Sequence, residues 1–287
     1  MPMDRPVFLP RDALEALRGE RGFGGAAKGL WCAGDPAGLS RPCVAIVGTR
    51  AATRYGKRVA WEFAAELGKA GCCILSGLAL GIDAAAHEGA LEAGASTAGV
   101  LGSGHGHFFP ERNRALAERI AGAGGAVLSP FEPAQPAFPH QFLQRNGIVA
   151  ALADAVVVVE APARSGALNT ASWAAGRIPV LAVPGDVDRR HVAGCHALIR
   201  DGATLARHPA DVLEALGLTN PLPLPLTDPA VVEDPLAQAL LGALDGGASD
   251  IDDLVARAGV GAPAVMAALT LLELNGAIQR DGVIVRR

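Results

Sequence analysis

The sequence predicts an α/β fold: a doubly wound, mostly parallel sheet covered by helices, followed by a small helical unit. Three observations carry this. Apolar runs such as Val44–Val47 and Ala155–Val159 are uninterrupted, as in strands buried on both faces. Each run stops at a loop bearing glycine or a small polar residue, and segments of helical period fill the intervals, so strand and helix alternate. A stretch holding five prolines, Asn220–Pro235, then separates this pattern from three short helical segments.

The first forty residues are weakly patterned. Arg11–Arg18 fits two helical turns, Gly22–Gly29 reads as a flexible break, and Trp31–Asp35 reads as a short edge strand. Val44–Val47 is the first buried strand, and it runs into Gly48-Thr49-Arg50. Gly48 permits a sharp turn and a close approach of a ligand to the backbone. Arg50 then stands at the carboxyl end of the strand, where open α/β sheets bind their ligands.

Lys57–Lys69 forms a helix with Val59, Ala60, Phe63, Ala64 and Leu67 on one face. Strand Cys72–Leu75 leads into Ser76-Gly77-Leu78-Ala79-Leu80-Gly81-Ile82-Asp83, with Asp83 expected as N-cap of a helix over Ala84–Glu92. Strand Thr97–Leu101 ends in Gly102-Ser103-Gly104; a helix over Arg112–Ala121 and a strand over Ala126–Leu128 follow. Ser129–Pro139, with four prolines, is an extended loop. A helix over Gln141–Ala153 precedes Ala155–Val159, the most apolar strand and an interior one. After Arg164-Ser165-Gly166 a helix runs through Gly176, and Pro179–Val183 is a further buried strand.

Beyond the linker, helices are expected over Leu236–Leu244, Ile251–Ala258 and Ala262–Leu274, with a ribbon over Ala277–Arg286 turning at Asp281-Gly282. Three helices and a ribbon make a winged-helix pattern. The expected division is residues 1–41, an N-terminal extension; 42–217, the sheet domain; 218–235, the linker; and 236–287, the winged helix.

Half of the 287 residues are hydrophobic and the net charge is −4, which excludes a disordered chain and a grossly basic one. The charge is unevenly spread: Arg41–Arg207 holds 16 Lys/Arg against 13 Asp/Glu, and Leu236–Arg287 holds 4 against 6. Arg50–Arg58 alone carries four positive charges and no negative one. An anionic partner is therefore expected at the sheet domain. The five cysteines (Cys32, Cys43, Cys72, Cys73, Cys195) form no C-x-x-C pair and read as small buried hydrophobes in a reducing compartment. With no long apolar run and no hydrophobic leader near Asp4, Arg5, Arg11 and Asp12, a cytoplasmic protein without membrane insertion is expected.

Dinucleotide binding fails on its own requirements. Gly48 stands alone where G-x-G-x-x-G is needed, and the next strand ends at Ser76 instead of an acid. No P-loop lysine motif is present. His105 with His107, or His191 with Cys195 and His196, could begin a metal site, but no further ligand is spaced to close either. Neither a cofactor nor a metal is expected. Ser165 lacks the nucleophile-elbow pattern, because residue 163 is alanine.

Several glycine and hydroxyl loops along one sheet edge remain, with Arg50, Arg54, Lys57, Arg112, Arg114, Arg145 and Arg164 among them. Backbone N–H groups at helix N-termini together with guanidinium groups make phosphate sites, and a row of them suits a polyanion. Phe138 and Phe142 near Arg145 suit base stacking in a single strand.

Taken together, Val44–Arg50, Ser76–His87, Val100–Gly104, Pro110 with Asn113 and Leu116, Phe142 with Arg145-Asn146, Glu160 followed by Arg164-Ser165-Gly166, Val183-Pro184-Gly185, and Gly194-Cys195 with Leu198–Ala203 resemble the DprA (Smf) family of DNA-processing proteins. The resemblance covers about Leu30–Leu216, and Leu272–Gly276 resembles the winged helix that many members append. It implies an extended Rossmann-like domain that forms a homodimer, binds single-stranded DNA, protects it on entry and delivers it to the RecA recombinase in natural transformation, without established catalysis. Carried over by motif, Arg50 of the G-[ST]-R turn and Arg145 of the F-P-x-R-N-R segment are the foremost DNA contacts, with Phe142 beside them. The chain departs from that segment at Leu143 and Gly147.

The nucleic-acid-binding set expected is Gly48, Thr49, Arg50, Arg54, Lys57, Ser76, Gly77, Gly81, Gly102, Gly104, Arg112, Asn113, Phe142, Arg145, Asn146, Arg164 and Ser165, with no catalytic residue. The alternative is a nucleoside monophosphate phosphoribohydrolase of the lysine-decarboxylase-like Rossmann group. Its P-G-G-x-G-T-x-x-E loop is not matched by Arg164–Thr170, which lacks the glycine pair and the glutamate. The third helix of the winged unit, Ala262–Leu274, has Glu273 as its only charge, so a protein contact is expected there in preference to duplex reading.

Overall fold

A computed structural model describes residues 5–19, 23, 27–218, 234–244, 247, 249–274, 277–281 and 284–286. Half of the expected Gly22–Gly29 break, most of the linker, Asn275-Gly276 and Gly282 of the ribbon turn lie outside the described residues. Contacts group the chain into two units, residues 1–219 and 220–287.

The large unit is built on β3 (Cys43–Val47), every residue of which is buried. Chain order then runs α2 (Arg54–Lys69), β4 (Cys73–Ser76), α3 (Ile82–Glu92), β5 (Thr97–Val100), α4 (Arg114–Gly122) and β6 (Ala126–Ser129). It continues through α5 (Pro139–Leu152), β7 (Ala155–Val158), α6 (Gly166–Ala174) and β8 (Val180–Ala182). Ahead of these stand β1 (Val7–Pro10), α1 (Arg11–Arg18) and β2 (Gly29–Gly34); after them come α7 (Ala193–Arg200), β9 (Thr204–Leu205) and α8 (Pro209–Ala215).

The nine strands lie in the order β1-β2-β6-β5-β4-β3-β7-β8-β9. From β6 to β9 all pairings are parallel, and β1–β2 and β2–β6 are antiparallel. From β3 the chain winds outward through β4, β5 and β6, then returns to lay β7, β8 and β9 on the other side. The order therefore reverses between β3 and β7, and a crevice at the carboxyl ends of that pair is the expected ligand site of such a sheet. Side chains of Val44, Ile46, Val157 and Phe63 form the core on the α2 and α3 face. Ala45, Val156, Val158 and Val149 do so on the α5 and α6 face.

Most element boundaries fall within a few residues of the sequence reading, and three departures have clear causes. β2 is not an edge strand, because β1 pairs outside it at Val7↔Cys32. Asp83 is not an N-cap: the helix begins earlier, after Gly81 at φ 84°, and the Asp83 carboxylate instead accepts from Gly77 N at 3.0 Å and Ala79 N at 3.4 Å. The short elements α7, β9 and α8 were not expected at all.

The small unit contains α9 (Pro235–Leu244), β10 (Ser249–Asp250), α10 (Ile251–Ala258), α11 (Ala262–Leu274), β11 (Gln279–Asp281) and β12 (Ile284–Arg286). Its core joins Leu240, Leu254, Val265, Leu269 and Val285. Asp250 caps α10 by accepting from Asp252 N and Asp253 N, and β10 adds a third strand to the ribbon. This is a winged helix. Among the described residues no single helix is long and apolar enough to cross a membrane.

Candidate nucleic-acid interface

A cleft of about 720 Å³ opens at the reversal of strand order. Its walls come from the β3–α2 turn (Gly48, Thr49, Arg50), the β4–α3 loop (Gly77, Ala79), the first two turns of α5 (Phe142, Arg145, Asn146) and the entry to α6 (Arg164, Ser165, Gly166). Three loops leaving the carboxyl ends of the neighbouring parallel strands β4, β3 and β7 thus converge with the first turns of α5.

Close packing keeps these turns bare. A Cβ on Gly48 would lie 2.5 Å from Ile82 Cγ1 and 2.9 Å from Glu160 O, so only glycine lets β3 turn against α3. Thr49 N donates to Glu160 O at 2.7 Å, joining the β3 turn to the end of β7. Ser165 Oγ accepts from Ala167 N at 3.2 Å and caps α6, while Asn146 Nδ2 donates to Gly166 O at 3.1 Å and ties α5 to it.

Arg50 is exposed, with its guanidinium carbon 5.5 Å from the centre of the Phe142 ring. Phe142 also meets Phe109 edge-on at 5.6 Å. Arg164, also exposed, lines the cleft at the entry to α6. Arg145 differs: its side chain is 5 % exposed and lies 4.0 Å from Asp83, and its Nη1 donates to Val100 O at 3.2 Å. Arg145, expected as a foremost DNA contact, thus lines the cleft from a buried position, because the β4–α3 loop passes over it. A Cβ on Gly77 would overlap its guanidinium.

Burial lowers the pKa of Arg145, Asp83 opposes that shift, and Arg50 adds to it by repulsion. Burial likewise raises the pKa of Asp83 against the pull of Arg145. His87, buried behind this pair, is held down to about 3 by burial and by Arg145 and is neutral. The cleft is lined by three guanidiniums and one carboxylate, the latter already engaged.

The other expected residues lie elsewhere. Arg54 and Lys57 are exposed on the first turn of α2, and Arg112 is exposed ahead of α4; none lines the cleft. Ser76 is buried and donates to Ile46 O at 2.7 Å. Asn113 is buried and donates to Leu78 O and Ala79 O, clamping the turn in which Leu78 has φ 55°. Gly81, Gly102 and Gly104 admit the backbone of Thr49 and Arg50, the Phe142 ring and the backbone of Glu132 and Pro133 respectively. These residues shape the site without facing into it. Arg114 is paired with Glu111 at 2.7 Å.

Asp83, Phe109 and Thr170 line the cleft but were not singled out as site residues. Only Asp83 left a signal, standing in the glycine-rich loop motif where a cap was expected. Among the described residues no group of three metal-ligating side chains occurs. His105 and His196 hydrogen-bond to Val127 O and Gly185 O, and the Cys195 thiol is pushed up to about 11 by burial.

A doubly wound sheet with a cationic, aromatic-edged cleft at its switch point defines a Rossmann-like protein, here joined to a winged helix. The sequence profile described as DNA recombination-mediator protein A matches residues 22–217, and that of the DprA winged helix domain matches residues 223–282. The chain belongs to the DprA (Smf) family of DNA-processing proteins.

A DprA relative in Mycobacterium tuberculosis is 41 % identical over 263 residues, covering 88 % of this chain and 67 % of the relative. Protein Smf of Escherichia coli is 37 % identical over 244 residues, covering 81 % and 64 %. The chain thus spans about two thirds of the length of these relatives. The DNA processing protein A structure from Streptococcus pneumoniae matches with TM-score 0.62 and 37 % identity over 66 % of each chain. The one from Helicobacter pylori, described for its single-stranded DNA binding mode, matches with TM-score 0.64 and 29 % identity over 75 % of this chain and 98 % of that one.

Proposed function

We propose that this chain binds single-stranded DNA across the cleft, shields it, and passes it to the RecA recombinase during natural transformation, acting as a cytoplasmic homodimer and without catalysis. The observation that carries the reading is the charge of the cleft: Arg50, Arg145 and Arg164 against Asp83 alone. Arg50 and Arg164 neutralise phosphates, and amides at Gly48 and at the Ser165 entry to α6 receive their oxygens. Phe142, with Arg50 over its ring, offers a surface for a base. Arg145 supplies positive potential from below. Arg54, Lys57 and Arg112 extend the cationic rim, while Ser76, Gly77, Gly81, Gly102, Gly104 and Asn113 hold its loops in shape.

The described binding mode of the Helicobacter pylori relative supports the choice of a single strand. Recombinase loading is supported by membership of a recombination-mediator family. Phosphate contacts carry no base information, so sequence preference is weak. The test is fluorescence anisotropy with single-stranded and duplex oligonucleotides of one sequence across a salt series. Tighter binding of the single strand, weakening as salt rises, is expected; equal or absent binding of the single strand would overturn the reading.

A further inference from the structure

Gly147 and Trp173 make a feature that the cleft does not use. A Cβ on Gly147 would lie 3.3 Å from Trp173 Cε2, 3.4 Å from Cδ2 and 3.5 Å from Nε1. Three near-equal distances to ring atoms place the indole flat over the glycine. Trp173 is nonetheless 51 % exposed, so its opposite face meets water. A half-exposed tryptophan on a helix surface leaves much apolar area unburied.

The position of this ring identifies its occupant. Thr170, one turn earlier on α6, lines the cleft, and so do Leu143 and Asn146, which flank Gly147 on α5. The indole therefore stands one helical turn, roughly 5 Å, beyond the cleft wall on the seam between the two helices. Leu143, 54 % exposed, continues the same lip. Charge around the seam is one-sided: no Asp or Glu occurs between Glu132 and Asp154 or between Glu160 and Asp186, the stretches that contain α5 and α6. A polyanion leaving the cleft in this direction meets no carboxylate on either helix.

We propose that Trp173 is a stacking platform for a nucleobase of the strand as it leaves the cleft, made available because residue 147 has no side chain. The inference rests on the single-strand reading above. Base–aromatic stacking tolerates any base and needs only an open ring face beside a cationic path. It also makes the platform dependent on strand length, since a dinucleotide held inside the cleft does not reach it.

The experiment compares the wild type with Trp173→Ala and Trp173→Phe, using oligothymidylate and a thymidine dinucleotide. Oligothymidylate is expected to quench tryptophan emission in the wild type, and the quenching to disappear in Trp173→Phe although Trp31 and Trp61 remain. Trp173→Ala is expected to bind oligothymidylate about five-fold or more weakly, while Trp173→Phe stays close to wild type. Dinucleotide affinity should not move. If wild type and Trp173→Ala bind the oligomer equally and no Trp173 quenching occurs, the platform is refuted and the cleft reading stands. If the wild type binds no single strand, both fail. A Trp173→Ala protein that changes its sedimentation but not its oligomer affinity would mark the ring as a contact between copies of the chain and overturn the proposal.

Discussion

The Asp83 carboxylate stands 4.0 Å from the Arg145 guanidinium beneath Gly77, with 8 % and 5 % of the two side chains exposed. At this separation the two charges attract without a direct hydrogen bond, so burial works against both. The carboxyl keeps its proton to higher pH in the folded chain than its ordinary value of 3.8. Folded Asp83 thus binds more proton than unfolded Asp83, and stability falls as pH rises from 3.8 through the raised pKa. Asp83→Asn keeps an oxygen for Gly77 N and Ala79 N and removes this loss. Removing the carboxylate also leaves the buried Arg145 guanidinium without its countercharge, so the melting temperature at neutral pH should fall below the wild type's, with a flatter profile above the acid range. A melting temperature equal to or above the wild type's would show that the cost of burial outweighs the attraction within the pair.

Arg18 and Asp154 form the opposite kind of pair. Arg18 Nη2 donates to Asp154 Oδ1 at 2.6 Å, Nη1 donates to Leu39 O at 3.1 Å, and Asp154 Oδ2 accepts from Cys43 N at 2.7 Å. With the side chains of Arg18 and Asp154 1 % and 17 % exposed, truncation leaves a mostly buried carboxylate short of this partner. Arg18→Met should cost about 3–5 kcal/mol in urea unfolding. A loss within experimental error would contradict the role of this pair in joining α1 to β3.

Gly77 is the roof over Arg145. Gly77→Ala drives a methyl into the guanidinium, and either the loop or α5 must yield. The expected cost is about 1–3 kcal/mol, as for other overpacked sites. Oligonucleotide affinity should fall with it, since the same loop touches the backbone of Arg50 at Gly81. Unchanged melting and affinity would mean that Arg145 has another seat.

These relationships mark where sequence reading stops. The strands β3 and β7 were legible because an apolar run without alternation has few other uses. Gly48, Arg50 and Phe142 were legible as a glycine-ended strand with a cation and a ring nearby. Arg145 looked no different from Arg50, because its burial depends on a sequence-distant loop, the one carrying Gly77, crossing above it. The pairing of Arg114 with Glu111, by contrast, was open to view as a spacing of three. At eight and seven residues, α7 and α8 are too short to establish a period.

Acid should act on α8 through Asp211. Its carboxylate accepts from Arg207 Nη2 at 2.8 Å and from Arg207 N at 2.7 Å, and the Arg207 hydrogen bond leads the causes that lower its pKa to about 2. The unfolded chain binds the proton first, so this contribution is complete above 3.8 and is lost as pH falls toward about 2. Arg207 is 62 % exposed, and solvent screening reduces the gain. Asp211→Asn should melt below the wild type at neutral pH and converge with it near the bottom of that window. A constant difference down to that pH would contradict the assignment.

The central claim is that guanidiniums at the β3–β7 reversal neutralise the backbone of a single strand. It is tested most directly by the salt dependence of oligothymidylate binding to the wild type and to Arg50→Ala. The account predicts that the slope of log affinity against log salt becomes shallower by about 0.7 in Arg50→Ala, the share of one phosphate contact. An Arg50→Ala slope equal to the wild type's, at equal affinity, would contradict it.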